Sequence, residues 1–289
     1  MSSSQVRRAE YVRDTLDVSN IGIVEKPLGA WERLFNHGFV RKALILVTLA
    51  ALWQLYAAVL DNELLIPTFG AMSSAFVDGI VDGELALKAW HSVRVLLQGY
   101  LAGLAIASVL TIFAVSTRLG NDVLETLTAM FNPLPAIALL PLALIWFGFG
   151  TSSLVFVLIH AVLWPVALNT HSGFLAVSNT LRMVGRNYGL SGWRYVLKIL
   201  VPAAFPSILA GMKIGWAFAW RTLIAAELVF GATSGSGGLG WYIYENKNLL
   251  QIPQVFAGLF MVILIGLLVE NLIFRQIEER TIRRWGMQA

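Results

Sequence analysis

The hydrophobic residues of this chain are gathered into long runs that short polar stretches separate. Such runs can cross a bilayer as helices, because about 20 helical residues span its hydrocarbon core. None shows the alternation of apolar and polar residues that is typical of barrel strands. The pattern therefore predicts an all-α polytopic membrane protein with about six transmembrane helices. The predicted spans are 43–60, 93–115, 123–147, 154–177, 208–230 and 255–274.

The third of these runs contains three prolines, Pro133, Pro135 and Pro141. Proline has no backbone N–H and its ring clashes with the preceding helical turn, so it breaks or kinks a helix. Irregular backbone at membrane depth is tolerated where it lines a cavity. We therefore expect this span to be broken and to border a cavity.

Composition supports a membrane location and excludes several kinds of site. The chain is 57% hydrophobic and 13% charged, with a mean hydropathy of +0.70, which lies outside the range of soluble domains. It has no cysteine, so disulfides and thiolate metal sites cannot form. Its four histidines lack metal-ligand spacing, and we predict no metal site.

The distribution of Lys and Arg predicts the orientation of the spans. With the amino terminus inside, the cytoplasmic segments contain sixteen of these residues and the opposite side contains only two, Lys88 and Lys247. Short cytoplasmic loops are enriched in Lys and Arg. We therefore expect a multi-pass protein of the bacterial inner membrane with both termini in the cytoplasm. The positive charge is explained by topology and lipid headgroups, without nucleic acid.

The runs divide the chain into three parts. Residues 1–42 contain no signal peptide and are predicted to stay in the cytoplasm. Within them, Trp31, Leu34, Phe35 and Phe39 indicate a short amphipathic helix along the inner membrane surface. The membrane domain is expected at 43–276, followed by a basic cytoplasmic tail at 277–289.

A long polar connection, 179–206, joins the fourth and fifth spans and is much longer than a turn requires. Gly189 can end one helix and Ser191 can cap the next. A short amphipathic helix is predicted after Ser191, and Pro202 is expected to stop it. Its apolar face contacts either a partner protein or the lipid surface. That face is formed by Trp193, Val196, Leu197 and Leu200.

Ionisable residues inside a span are costly and often functional. Arg221 in the fifth span can face the pathway and attract an oxyanion, or it can pair with a carboxylate on another helix. Glu227 lies six residues further on, so the two side chains are on different faces of the helix. Trp220 lies beside Arg221, while His160 and Trp164 are one turn apart in the fourth span. We call these five residues the predicted pathway group.

Several motifs resemble those of a transporter family. Gly189, nine further residues, Ile199 and then Val201-Pro202 match the spacing of the EAA loop in ABC-importer permeases. Met183-Val184-Gly185 stand where that loop typically has Glu-Ala-Ala. The chain also resembles the permeases of nitrate, sulfonate, taurine and bicarbonate importers over about 43–276. The matching runs are NPLP at 132–135, LPL at 140–142, WFGFG at 146–150, AAEL at 225–228 and GGLG at 237–240.

The resemblance implies a type I ABC-importer permease that pairs with itself or with a sister permease. It implies two cytoplasmic ABC ATPase subunits and a periplasmic solute-binding protein as partners. The loop would supply the coupling helix that docks on the ATPase. The residues expected to couple are Tyr188, Gly189, Ser191, Trp193, Arg194, Val196 and Leu197.

The chain itself lacks the phosphate-binding loop motif GxxxxGK[ST]. We therefore expect it to be no enzyme and to contain no cofactor, with ATP and Mg²⁺ bound by the partner ATPase. One alternative is a secondary transporter or channel that an ion gradient drives without an ATPase. An intramembrane enzyme is a second alternative, although the spans lack HExxH, GxSxG and close Asp pairs. The residues alone do not distinguish a sulfonate solute from a carboxylate solute.

Overall fold

The computed structural model describes residues 36–230 and 237–284, and these residues are helical apart from short connections. Five helices or continuous helical segments in this part of the chain are long and apolar enough to cross a membrane. A sixth span results if the two helices on either side of a sharp bend are counted together. The predicted all-α, six-span architecture is confirmed.

The helices follow one another with few residues between them. The first six are α1 (Gly38–Leu60), α2 (Phe69–Val81), α3 (Glu84–Ser116), α4 (Arg118–Phe131), α5 (Leu140–Phe147) and α6 (Thr151–Ala176). The remaining six are α7 (Asn179–Asn187), α8 (Gly192–Tyr195), α9 (Val201–Phe230), α10 (Leu239–Asn248), α11 (Ile252–Leu268) and α12 (Arg275–Arg280). A 3₁₀ turn precedes α5 (Ala136–Leu139), and π turns lie before α9 (Val196–Leu200) and before α12 (Val269–Phe274).

The third predicted span is broken, as its prolines indicate. Helix α4 ends at Phe131, and the helical stretch from Ala136 to Phe147 leaves at an angle of 88° to it. Pro133 and Pro135 occupy the break. Pro141, in contrast, lies at the start of α5, where a helix does not need the missing N–H. Two of the three prolines therefore account for the break.

The predicted end of the amphipathic loop helix at Pro202 is wrong. The helical segment continues from Gly192 through α8, the π turn and α9 to Val229. In the π turn the N–H of Val201 bonds to Val196 O, which widens the backbone ladder immediately before the proline. A wider turn of this kind accommodates a residue without a donor. The second span also begins earlier than predicted, at Glu84 rather than 93.

Helices α3, α6 and α9 form the centre of the fold, and glycines let them approach closely. A Cβ added to Gly103 of α3 would lie 2.7 Å from Val162 Cβ of α6, and one added to Gly211 of α9 would lie 2.8 Å from Asn169 Cβ. Small residues commonly permit such contacts between membrane helices. The tight packing fixes the faces of α6 and α9 that carry the candidate site.

The described residues 36–52 form a unit of their own. They include the first part of α1, whose large apolar side chains, such as Leu46 and Val47, are exposed, as expected of a helix in lipid. Of the predicted amphipathic helix, Trp31, Leu34 and Phe35 lie outside the described residues. So do 231–236 of the glycine-rich stretch and 285–289 of the basic tail.

Candidate functional site

A cavity of about 310 Å³ lies beside the break between α4 and α5. The broken backbone at 132–137 forms one wall of this central cavity. Helix α6 contributes His160 and Trp164 to it, and α9 contributes Phe218 and Arg221. Three of the five residues of the predicted pathway group, His160, Trp164 and Arg221, are therefore brought together by the fold.

Polar groups at this cavity lack partners within the described residues. Both ring nitrogens of His160 and the indole nitrogen of Trp164 are buried without a hydrogen bond. Buried polar groups are normally bonded, so unpaired ones call for an explanation. Arg221 is exposed, and no carboxylate among residues 36–230 and 237–284 pairs with it. Together these side chains provide one cation and N–H donors, which favour a negatively charged guest.

Aromatic rings hold the donors in place. Phe131, the last residue of α4, stacks on Trp164 with ring centroids 5.4 Å apart and an interplanar angle of 13°. The His160 ring packs edge-on against Trp164 at 6.1 Å. The cavity thus combines an apolar aromatic wall with few polar groups, which is the usual character of a small-molecule site.

Trp220 lies apart from this cavity, although it neighbours Arg221 in sequence. Its indole nitrogen donates to Val262 O on α11 at 3.3 Å, and the side chain is buried in the core. Adjacent residues on a helix point about 100° apart. This spacing directs Trp220 towards α11 while Arg221 borders the cavity.

Glu227 is also separated from the central cavity, because it is buried at the far end of α9. The Ser92 hydroxyl, from α3, contacts both carboxylate oxygens at 2.9 and 2.8 Å, and the Gly240 N–H donates to the carboxylate at 2.8 Å. Ser92 Oγ in turn accepts from the Leu239 N–H at 2.8 Å. This Glu227 clamp joins α3, α9 and the start of α10, and gives the carboxylate a structural role.

Glycine is required next to the clamp. A Cβ added to Gly240 would lie 2.5 Å from Glu227 Cβ and 2.6 Å from Ile224 O, and one added to Gly238 would overlap Ser92 Oγ and the Glu227 carboxylate. Ser92 is not among the site residues that the sequence predicts. A buried acid followed by a GGLG run is a signal that backbone amides bind it, but nothing in the sequence singles out the serine.

The 179–206 connection forms the short helix α7 and the start of the continuous helical segment that begins at Gly192, and a glycine turn joins the two. Gly189 has φ +68° and Gly192 φ +55°, in the left-handed region that glycine enters without strain. The Leu190 N–H bonds to Gly185 O at 3.0 Å, closing the end of α7. Ser191 occupies the N-cap position of α8, as predicted, but its side chain makes no capping hydrogen bond.

The predicted apolar face of this loop is divided between the core and the surface. Val196 and Leu200 are buried against Phe174, Val177 and Ala204. Tyr188, Trp193 and Leu197 are 81%, 65% and 52% exposed; we call these three residues the loop patch. The Arg194 guanidinium lies 5.6 Å from the centre of the Trp193 ring. Val196 thus faces the interior, because it continues the buried side of α9.

Among the described residues, His, Asp and Glu form no group of three that could hold a metal ion.

Comparison with known proteins identifies relatives of the chain. The family described as binding-protein-dependent transport system inner membrane component matches residues 99–283. A protein of Methanocaldococcus jannaschii named as an ABC transporter permease is 31% identical over 224 residues, which are 76% of this chain and 83% of the relative. The nitrate import permease of Synechocystis sp. is 28% identical over 247 residues, 83% of this chain and 88% of its own. The taurine transport system permease of Escherichia coli is 31% identical over 150 residues, 52% of this chain and 53% of its own.

Proposed function

Because the chain belongs to the family of binding-protein-dependent transport system inner membrane components, as an ABC-importer permease of the nitrate, sulfonate and taurine type, we propose that it transports a small oxyanion. The central cavity is the proposed place where the solute passes through the bilayer. The names of the relatives include nitrate, aliphatic sulfonates and taurine. The membership favours the importer over a secondary transporter or an intramembrane enzyme.

The observation that supports an anionic solute is the set of unpaired donors at the central cavity. A guanidinium at low dielectric attracts a carboxylate or sulfonate, and charge-assisted hydrogen bonds are about twice as strong as neutral ones. His160 and Trp164 can add donors without adding negative charge. No carboxylate is among the residues that border this cavity, so no acidic side chain there would repel an oxyanion.

Replacing Arg221 tests this proposal. In the reconstituted transporter, with its ATPase and binding protein, we expect Arg221→Gln to reduce oxyanion uptake by about tenfold or more, because one charge-assisted bond is lost. Arg221→Lys retains the charge but not the planar fork, and part of the uptake should remain. Uptake of radiolabelled nitrate, taurine and methanesulfonate is the measurement.

Arg94→Gln provides the matched control, since Arg94 is an exposed arginine of α3 that does not border the cavity. It removes the same charge and should leave uptake close to the unmodified level. No uptake of nitrate, taurine or methanesulfonate by the unmodified transporter would contradict the proposed function. Equal uptake by Arg221→Gln and the unmodified transporter would contradict the role of Arg221.

We further propose how the partners are arranged. The loop patch docks on the cytoplasmic ATPase, which binds ATP and Mg²⁺, and both termini of the chain lie in the cytoplasm. Tyr188, Trp193 and Leu197 supply the apolar contact, Arg194 a charge at its edge, and Gly189 the turn that presents them. A second copy or a sister permease completes the pathway, and a solute-binding protein delivers the solute from outside.

A further inference from the structure

Two further cavities lie along the same face of α6 as the central cavity, towards the 179–206 loop. The middle cavity, of about 260 Å³, borders Glu125, Thr128, Leu168 and His171. The loop-side cavity, of about 330 Å³, borders Ser116, Arg118, Asn121, His171 and Arg182. Along α6 the bordering residues are spaced by three or four positions, which places them on one face of the helix. They are His160, Trp164, Leu168, His171 and Leu175.

Helix α4 has a matching row on the opposite side of these cavities. Arg118, Asn121, Glu125 and Thr128 also recur every three or four residues. The two rows therefore enclose a groove that leads from the break after α4 to the loop. Its polar groups differ along its length: basic residues lie at the two ends, and the acidic residue Glu125 lies between them.

The loop-side cavity has the composition of an anion site. Arg118 makes no hydrogen bond or ion pair within the part of the chain that the structure describes. Arg182 is held by bonds from Nε to Val177 O at 3.1 Å and from Nη2 to Phe174 O at 2.6 Å. These bonds use only part of its donors, so the guanidinium is fixed in position and can still bind a guest.

His171 strengthens this assignment. Its side chain is only 6% exposed and borders both the middle and the loop-side cavities. Its ring nitrogens make no hydrogen bond among residues 36–230 and 237–284, and they are not among the fully buried unpaired atoms. The imidazole can therefore donate to an oxyanion at the junction of the two cavities.

The middle cavity is unfavourable for an anion. Glu125 borders it and accepts a hydrogen bond from Asn121 Nδ2 at 3.0 Å. Glu125 is exposed, and its negative charge repels an anion in this cavity. The acidic residue therefore separates two regions of positive charge, one at Arg221 and the other at Arg118 and Arg182.

We propose that the loop-side cavity is a second oxyanion site, formed by Arg118, Arg182 and His171, which the solute occupies before it leaves the protein. The place of this site on the exit route rests on the proposed function, whereas its affinity for a negatively charged oxygen group does not. A free solute or an anionic lipid headgroup offers the same chemistry, and the experiment below separates the two.

A single introduced thiol can report on this cavity, because the chain has no cysteine of its own. Ser116→Cys places a thiol at the cavity edge with little change in size. The probes are two methanethiosulfonates, one with an ethylsulfonate anion and one with an ethyltrimethylammonium cation. The measurement is the ratio of their reaction rates with the full transporter in nanodiscs of neutral lipid.

We expect the ratio of the anionic to the cationic reaction rate to be higher at the introduced thiol than at a free thiol in solution. In the Ser116→Cys background, Arg118→Gln should lower the ratio by about threefold or more, since one nearby charge is lost. Arg182→Gln should do the same. Arg186→Gln is the matched control for Arg182→Gln. Arg186 is an exposed arginine that lies one turn after Arg182 on α7 and outside the cavity, so its replacement should change the ratio much less.

Protection completes the test. Methanesulfonate should slow modification in a saturable way, and Arg118→Gln should abolish the protection. The Arg118 side chain makes no hydrogen bond or ion pair within the described structure. This variant therefore tests the site without disturbing the loop. If phosphatidylglycerol in the nanodisc protects the thiol and methanesulfonate then adds no further protection, the site binds a lipid headgroup.

The proposal would be overturned if neither Arg118→Gln nor Arg182→Gln changes the ratio, and if neither methanesulfonate nor phosphatidylglycerol protects the thiol. The uptake assay distinguishes this result from failure of the proposed function. If the chain carries no oxyanion, the unmodified transporter takes up none of the three anions, while the loop-side ratio and its protection still depend on Arg118. If only the second site is absent, uptake depends on Arg221 and the thiol assay shows no protection.

Discussion

We expect Trp193→Asp to abolish ATP-driven uptake, with a fall of about a hundredfold, while the permease remains folded. Trp193 is exposed and does not belong to the buried cluster beside the loop, so its replacement removes little stability. Buried aromatic residues at the centre of an interface commonly contribute 2 kcal/mol or more to binding. An aspartate in that position would also place an unpaired charge in an apolar contact.

Co-purification of the ATPase with the permease, together with uptake in proteoliposomes, measures this effect. Leu197→Asp should act in the same direction. Leu249→Asp is the control, because Leu249 is as exposed as Trp193 but lies after α10, outside the loop. An ATPase that still co-purifies in full with both Trp193→Asp and Leu197→Asp would contradict the docking of the loop patch.

The second large effect is expected at the Glu227 clamp. Glu227→Ala leaves the Gly240 N–H and the Ser92 hydroxyl without the acceptor they share. Each buried polar group left unsatisfied costs about 1–3 kcal/mol. We therefore expect destabilisation of about 3 kcal/mol, seen as a lower Tm of the purified chain and faster hydrogen exchange at the start of α10.

Two further variants separate charge from hydrogen bonding. Glu227→Gln keeps an acceptor oxygen for Gly240 and should lower Tm less than Glu227→Ala. Ser92→Ala should resemble Glu227→Ala, since it leaves the Leu239 N–H without its acceptor. Glu245→Ala, on α10, controls for loss of a carboxylate outside the clamp. Equal Tm values for Glu227→Ala and Glu245→Ala would show that the clamp does not stabilise the fold.

The spans and the broken helix could be predicted from the sequence because both depend on local properties. Hydropathy over about 20 residues decides whether a segment enters lipid, and the prolines at 133 and 135 remove donors wherever the segment lies. Pro141 and Pro202 broke no helix, because their effect depends on backbone geometry a few residues away. The π turn before Pro202 has no clear sequence signal.

The candidate site was predictable only in part, because side-chain direction depends on packing between distant helices. His160, Trp164 and Arg221 were grouped by residue type and lie together. Trp220 and Glu227 were included on the same grounds, yet Val262 and Ser92 bind them, and residues so distant in sequence give no pattern. The roles of Arg118, Arg182 and His171 follow from the groove between α4 and α6, which hydropathy does not reveal.

The continuous helical segment from Gly192 to Val229 has a mechanical consequence. Its 38 residues extend about 55 Å at a rise of about 1.5 Å per residue. Trp193 is near one end and Glu227 near the other, so a tilt of about 5° would displace one end by about 5 Å relative to the other. If the loop patch docks as proposed, motion at the loop would reach the Glu227 end of α9 within one continuous helical segment, without passing through side-chain contacts.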